Sequence, residues 1–261
     1  LVVILDRALG MTRTLLLLLL ASFAGCVPFG VSGQVGYTQM KVGGELALTN
    51  TEGNQQAIEQ SVDSAFGLGD EKGSPYFRGQ LDFGAPVVTA SVFWLHESGQ
   101  GQLDDSFGGL LQGTVVDSTL DLAVAKITAS YDFDLGFMKL SPGVLFDVFV
   151  LDFRASEQSL MSSEEIDDIA FVPMAFLRGE VGIGPLTAVA ELGYLEFSDL
   201  DDSDGKFLDF EAMIEWHPVP LGHVFAGYRF ISISGEGDNG TDDFATDLQI
   251  QGWVIGGGVR F

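Results

Sequence analysis

The sequence predicts an all-β fold: a transmembrane, antiparallel, up-and-down β-barrel of ten strands. Three observations lead there. Segments of alternating character recur along the chain after residue 35, the period-two pattern that sends successive side chains to opposite faces of a sheet. The connections between these segments are alternately short and long, as in barrels with tight turns at one end and longer loops at the other. Finally, the chain is 46% hydrophobic yet carries a formal net charge of −25. A soluble globule has little use for that combination. It suits a wall that is apolar outside, with charges gathered in an interior and at one end. No stretch after residue 26 approaches eighteen uninterrupted apolar residues, so helical spans are excluded. A closed barrel is then the remaining way to pair every backbone polar group in lipid.

The first residues read as a targeting segment. Met11-Thr-Arg-Thr, the run Leu15 to Leu20 and the small residues up to Cys26 make a secretory signal too short to span a membrane. Residues 1–10 read as an upstream extension or a translation-start artefact. Cleavage is expected between residues 24 and 33, after Ala24 or after Gly33, leaving a single barrel over residues 34–261. Phe23-Ala-Gly-Cys26 resembles a lipoprotein cleavage box, with Phe23 where an aliphatic residue is usual. That resemblance implies acylation of Cys26. A single Cys excludes an intramolecular disulfide even in an oxidising compartment.

The expected strands follow in order, each with its inward charges. Gly36–Thr49 carries Lys41 and Glu45; Tyr76–Gly84 carries Arg78 and Asp82; Val87–Glu97 carries none; Thr114–Asp134 carries Lys126 and Asp132. Phe137–Arg154 holds Lys139 and Asp147, Ile169–Ile183 holds Arg178 and Glu180, and Leu186–Phe197 holds Glu191. Phe207–His217 places Asp209, Glu211 and Glu215 opposite Leu208, Phe210, Ala212, Ile214 and Trp216. His223–Ser234 puts Arg229 inside with Tyr228 and Phe230 outside, and Ala245–Phe261 contributes Arg260. Gly84-Ala-Pro86, Asp134-Leu-Gly136, Gly184-Pro185 and Pro218–Gly222 are the short turns. Their regular alternation with long connections supports ten strands and places both chain ends on one side. Eight strands, twelve strands and a soluble β-sandwich are the alternatives. Trp94, Tyr131, Phe133, Tyr194, Trp216, Tyr228 and Trp253 are candidate interfacial anchors.

The last segment alternates Trp253, Ile255, Gly257, Val259 and Phe261 against Val254, Gly256, Gly258 and Arg260. It resembles the C-terminal signal of bacterial outer-membrane β-barrel proteins. The resemblance implies an outer-membrane location, extracellular loops, periplasmic termini, and contact with membrane lipid and lipopolysaccharide. It also implies recognition by barrel-assembly machinery through Trp253, Ile255, Val259 and Phe261.

Inward charges in a narrow lumen should pair, because an unpaired buried charge is costly. Such a network either closes the lumen or lines a narrow path whose excess carboxylates favour cations. Arg178→Ala should destabilise the barrel by leaving Glu180 or a cross-strand acid unpaired. With basic residues drawn inward, the acidic surplus is expected on the loops: Glu157 to Asp168, Asp199 to Asp204, and Glu236 to Asp243. Solvation explains such runs; divalent cations, bound directly or bridging to lipopolysaccharide, are the sharper reading. Asp201, Asp202 and Asp204 are weak metal candidates, Asp202, Asp204, Gly205 and Glu211 standing at calcium-loop spacing with Leu200 where its first acid belongs. The acidity argues against nucleic acid. No cofactor motif is present. His96-Glu-Ser98 formally matches the pair of lipid A deacylases, while His217 and His223 flank a turn and so do not supply an omptin-like Asp–His site. The resulting expectation is a non-enzymatic envelope or surface-interaction protein; a cation-preferring pore and a lipid-modifying hydrolase are the alternatives.

Overall fold

The computed structural model describes residues 30–50, 59–107, 109–157, 163–200, 203–238 and 242–261. The expected signal segment with Cys26, together with Asp201 and Asp202, lies outside the described residues. Ten long strands build the molecule: β1 Gly30–Asn50, β2 Lys72–Asp82, β3 Pro86–Gln102, β4 Val115–Tyr131 and β5 Lys139–Glu157. The second half consists of β6 Ser163–Ile183, β7 Leu186–Leu200, β8 Ser203–Val219, β9 Gly222–Asp238 and β10 Asp242–Arg260. Each strand pairs antiparallel with its predecessor, and β10 returns to β1 from Ser32↔Arg260 to Asn50↔Asp242. The result is a closed ten-strand, up-and-down barrel. Closure removes the open edge of the sheet, and β6 meets β7 in register from Ala175↔Tyr194 to Ile183↔Leu186. Two-residue pieces at Gln60–Ser61 and Phe133–Asp134 pair with β1 and β5.

Gly30, where the described chain begins, Phe261 and the tight turns lie at one end of the barrel, termed the turn end. Gly184-Pro185 joins β6 to β7, and Gly184 adopts φ 59°, which a residue with a side chain resists. The strands run further than the alternation suggested. β1 starts at Gly30 because Gly30 to Val35 find partners on β2, and Ser32 to Val35 on β10 as well. At the loop end, Glu164, Glu165 and Asp167 stand on β6, Asp199 on β7, Asp204 on β8, Glu236 and Asp238 on β9, and Asp242 and Asp243 on β10. Much of the acidic surplus thus sits on strands that extend beyond the apolar belt, not on loops. Glu164, Glu165 and Asp167 pair with β5, Asp204 with Glu236 of β9, and Asp243 with both β1 and β9.

The outer wall is apolar. Val35, Tyr37, Ile169, Phe171, Ile214 and Ile255 project from it exposed. Trp94, Tyr131, Phe133, Tyr194, Trp216 and Trp253 face outward too, and Tyr228 packs edge-on against Trp253 with centroids 5.0 Å apart. The interior differs from the wholly ionic lumen that parity suggested. It is layered: a polar mouth at the turn end, a charged middle, and an apolar cap towards the loop end.

Candidate functional site

The charged layer is assembled from opposite sides of the barrel. On one side the strand register sets Glu191 of β7 directly beside Glu211 of β8. Two like charges in that position repel. Arg78 of β2 and Lys126 of β4 reach across the lumen and separate them. Lys126 Nζ lies 2.9 Å from both Glu191 Oε2 and Glu211 Oε2, and 3.6 Å from Asp209 Oδ1. Arg78 grips Glu191 through both terminal nitrogens and reaches Glu211 Oε2 at 3.2 Å. Tyr76, on the same face of β2, donates its hydroxyl to Glu211 Oε1 at 2.8 Å. Arg229 of β9 holds Asp209 Oδ2 at 2.5 Å, stands 3.6 Å from Asp147 Oδ1, and lies over the Phe93 ring at 5.2 Å. The side chains of Lys126 and Arg229 are 1% exposed, and those of Glu191, Glu211, Asp209 and Asp147 are fully buried. Arg78, Lys126 and Arg229 thus meet Glu191, Glu211, Asp209 and Asp147 here, and Arg178 approaches Glu191 at 3.9 Å from the turn end.

At the turn end the network loosens and meets solvent. Arg178 donates to Gln80 Oε1 at 3.1 Å and to Glu180 Oε2 at 2.9 Å. Gln34 Nε2 donates to Glu215 Oε1 at 2.7 Å and sits 2.9 Å from His223 Nε2. His217 Nε2 is 3.4 Å from Glu215 Oε2, and the two imidazoles lie 5.2 Å apart. Arg260 pairs with Asp82 at 3.6 Å and Lys139 with Glu180 at 4.0 Å, while Ser141 donates to Asp132 at 2.6 Å. The mouth between these groups has a volume of about 30 Å³. That is room for a water molecule, not for a solute.

The loop end is closed by the chain itself. The connection between β1 and β2 turns into the barrel and buries Val62, Ala65, Phe66 and Leu68 almost completely. Phe66 meets Phe107 and Phe153 edge-on at 5.0 and 5.1 Å. Leu103, Leu110 and Val116 complete the apolar cap. Close backbone approach fixes its position: a Cβ on Gly99 would fall 1.8 Å from the Gly67 carbonyl oxygen, and one on Gly101 would fall 2.3 Å from that of Ala65. Glu97, 2% exposed, accepts the Gly69 and Asp70 N–H groups at 2.8 Å each. Gln60 ties the same segment to the Asp105 carbonyl at 2.7 Å.

Two expected lumen residues lie elsewhere. Lys41 and Glu45 share the outward parity of Val35 and Tyr37 on β1; Lys41 reaches Asp63 at 3.8 Å, and Glu45 is exposed. Met40 and Val42 take the inward positions instead, because the folded-in segment offers them an apolar partner that alternation alone cannot reveal. The other fourteen expected lumen residues point inward or into the turn-end rim. Arg260, Lys139, Asp82 and Asp132 are at that rim rather than in the charged middle. Tyr76, Gln34, His223, Glu97 and the Phe66 segment escaped the sequence reading. Tyr76 was within reach of it, sharing parity with Arg78; Phe66 was not, lying in a long connection without alternation.

On the outer face, His96 Nδ1 is 2.7 Å from Asp121 Oδ1, and Ser98 shares that face. The register continues the row through Asp152 to Asp167. Asp204 is exposed at the start of β8. Among the described residues no three His, Cys, Asp or Glu side chains converge as a metal site, and no helix is long and apolar enough to cross a membrane.

No family model matches the sequence, and no curated protein does. Solved structures do match. The chain is similar to the outer membrane protease OmpT of Escherichia coli at 10% identity and a TM-score of 0.52, over 91% of this chain and 99% of that one. It also matches Ail of Yersinia pestis, solved with the heparin analogue sucrose octasulfate, at 12% identity and a TM-score of 0.36, over 89% and 99%. Neisserial surface protein A matches at 11% identity and a TM-score of 0.34, over 89% and 97%. At 10% identity the likeness to OmpT is one of fold. The fold is that of the small bacterial outer-membrane β-barrels, and the chain is a membrane β-barrel with a charged, salt-bridged lumen.

Proposed function

We propose that this protein is a sealed, non-enzymatic outer-membrane barrel that contributes to the envelope as a rigid wall element and presents an acidic loop end to the outside. The loops are extracellular, both termini are periplasmic, and biogenesis runs through the barrel-assembly machinery. One observation carries the reading: the lumen is filled along its length, by paired charges in the middle and by the Phe66 cap at the loop end. The cation-preferring pore needs carboxylates to spare, and Arg78, Lys126, Arg178 and Arg229 engage those of the middle. Purified barrel in a planar bilayer should stay silent at potentials where open barrels conduct. Steady single-channel events would overturn the sealed reading.

Lipid contact carries a second, compatible element. Asp121, Asp152 and Asp167 occupy one outward-facing cross-strand row, with His96 2.7 Å from Asp121 at its end. Like charges in such a row are unfavourable unless a counter-ion lies between them. Divalent cations bridging this row to lipopolysaccharide phosphates offset the repulsion on both sides. Removing calcium and magnesium with a chelator should lower the unfolding temperature in lipopolysaccharide-containing membranes and leave it unchanged in phosphatidylcholine. Equal behaviour in the two membranes would dismiss the bridge.

A further inference from the structure

One seam of the wall is zipped only in its turn-end part. The ladder between β6 and β7 stops at Ala175↔Tyr194. Both strands run on towards the loop end, β6 back to Ser163 and β7 to Leu200. Each keeps its other neighbour over that stretch: β6 pairs with β5 as far as Ser156↔Ser163, and β7 pairs with β8 through Gly205↔Phe197 to Ser203↔Leu200. Two local causes part them. Pro173 holds its place opposite Phe146 of β5 but has no N–H to give to β7. The tip of β6 is also drawn elsewhere, where Glu164 accepts the N–H of Gly109 at 2.9 Å from the β3–β4 connection.

Two strand edges therefore border a gap in the loop-end half of the wall, and its surroundings limit what can fill it. A hydrocarbon chain offers nothing to backbone N–H and C=O groups, whereas an extended polypeptide pairs with them. Beneath the gap Val172 and Met174 are buried in the apolar core, and Leu195 packs against it. Every second side chain of an inserted strand faces that floor, so those side chains are apolar. The others face outward, past the exposed Phe171 at the foot of the gap and past Glu165, Asp167 and Glu196 above it. Arg154 engages Glu165 at 2.8 Å, and Lys206 is the register partner of Glu196. Asp152 beside Asp167 keeps the rim negative all the same, on a chain whose net charge is −25. Basic side chains suit the outward positions.

We infer that the gap between β6 and β7 is a docking site for an extended basic peptide, which pairs its backbone with the two lips, buries alternate apolar side chains over Val172, Met174 and Leu195, and turns lysine or arginine outward. Because β6 and β7 run in opposite directions, the peptide lies antiparallel to one lip and parallel to the other. A segment of about six residues, about 20 Å long, matches the β7 lip from Leu195 to Leu200. The inference rests on the outward orientation of the loop end proposed above. It is independent of whether the lumen conducts, since the apolar floor stays in place under the peptide.

The test uses the full barrel in phosphatidylcholine nanodiscs without divalent cations. The probe is a fluorescent peptide of three Lys-Val repeats with a photoreactive group at one end. A second peptide is identical except that each valine is N-methylated, which removes every second backbone donor and keeps the charge. The first peptide should bind saturably, cross-link to β6 and β7 beside the gap, and slow amide exchange from Leu195 to Phe197. The N-methylated peptide should bind at least tenfold more weakly, and Glu196→Lys should weaken the first peptide at least threefold. Equal binding of the two peptides, the outcome if charge alone or acyl-like insertion holds the probe, would overturn the inference. Cross-links spread around the rim, or no saturable binding, would overturn it too. Should Glu196→Lys fail to fold, the two peptides compared on the native barrel decide by themselves.

Discussion

Lys126 shows how the lumen holds a charge out of water. It is 1% exposed, and its ammonium is shared among Glu191, Glu211 and Asp209. Removing one partner of such a buried set costs about 3–5 kcal/mol, because the remaining charges stay buried and unpaired. Lys126→Ala should therefore lower the denaturant midpoint of the barrel in detergent sharply, and Glu211→Gln in the same chain should restore part of the loss. Arg178→Ala should cost less, since its partner Glu180 is 23% exposed at the wet mouth and keeps solvent when the arginine is gone. Equal losses would mean that the charged layer does not differ from the rim. At the loop end the balance reverses. The Glu45 carboxyl, through a hydrogen bond and its charge, with Asp247 and Glu236 adding repulsion, raises the pKa of Glu59 above the ordinary carboxylate value. A carboxyl raised on folding stabilises the fold only while protonated, and the contribution is lost as pH rises through its folded pKa. Glu59→Gln should thus make the folded-in segment more resistant to proteolysis at neutral pH. The difference should vanish under acid conditions, where Glu59 is protonated in both states.

Among the elements, the segment between β1 and β2 deserves its own test because it decides whether the barrel is closed. Phe66 is fully buried between Phe107 and Phe153. Deleting such a ring typically costs about 3–5 kcal/mol. The strands close the barrel without Phe66, so Phe66→Ala should loosen the cap more than the wall. The expected outcome is faster amide exchange over residues 59–71, with the protection of β7 to β9 retained. Loss of protection throughout would show that cap and wall unfold as one. Strand identity, order and turn positions were legible in the sequence, since period-two alternation and Gly- or Pro-bearing turns are local properties. The parity of β1 was not. Lys41 and Glu45 look like lumen charges beside strands that carry lumen charges, and only the folded-in segment makes Met40 and Val42 the better interior.

For the molecule as a whole, an apolar wall encloses a layer of paired charges with an apolar cap at the loop end. Bilayer silence and chelator sensitivity test the two proposed readings separately, so one can fail without the other. From the sequence alone come the barrel, its strand number, the apolar outside and most of the inward charges, because all of these follow from periodicity read over a few neighbouring residues. Only the tertiary structure decides whether the lumen is open. Tyr76 meets Glu211 across 135 positions of sequence and Arg78 meets Glu191 across 113. Which carboxylates find a cation, and which connection folds inward over the charged layer, depends on closing the sheet on itself, and no local pattern encodes that.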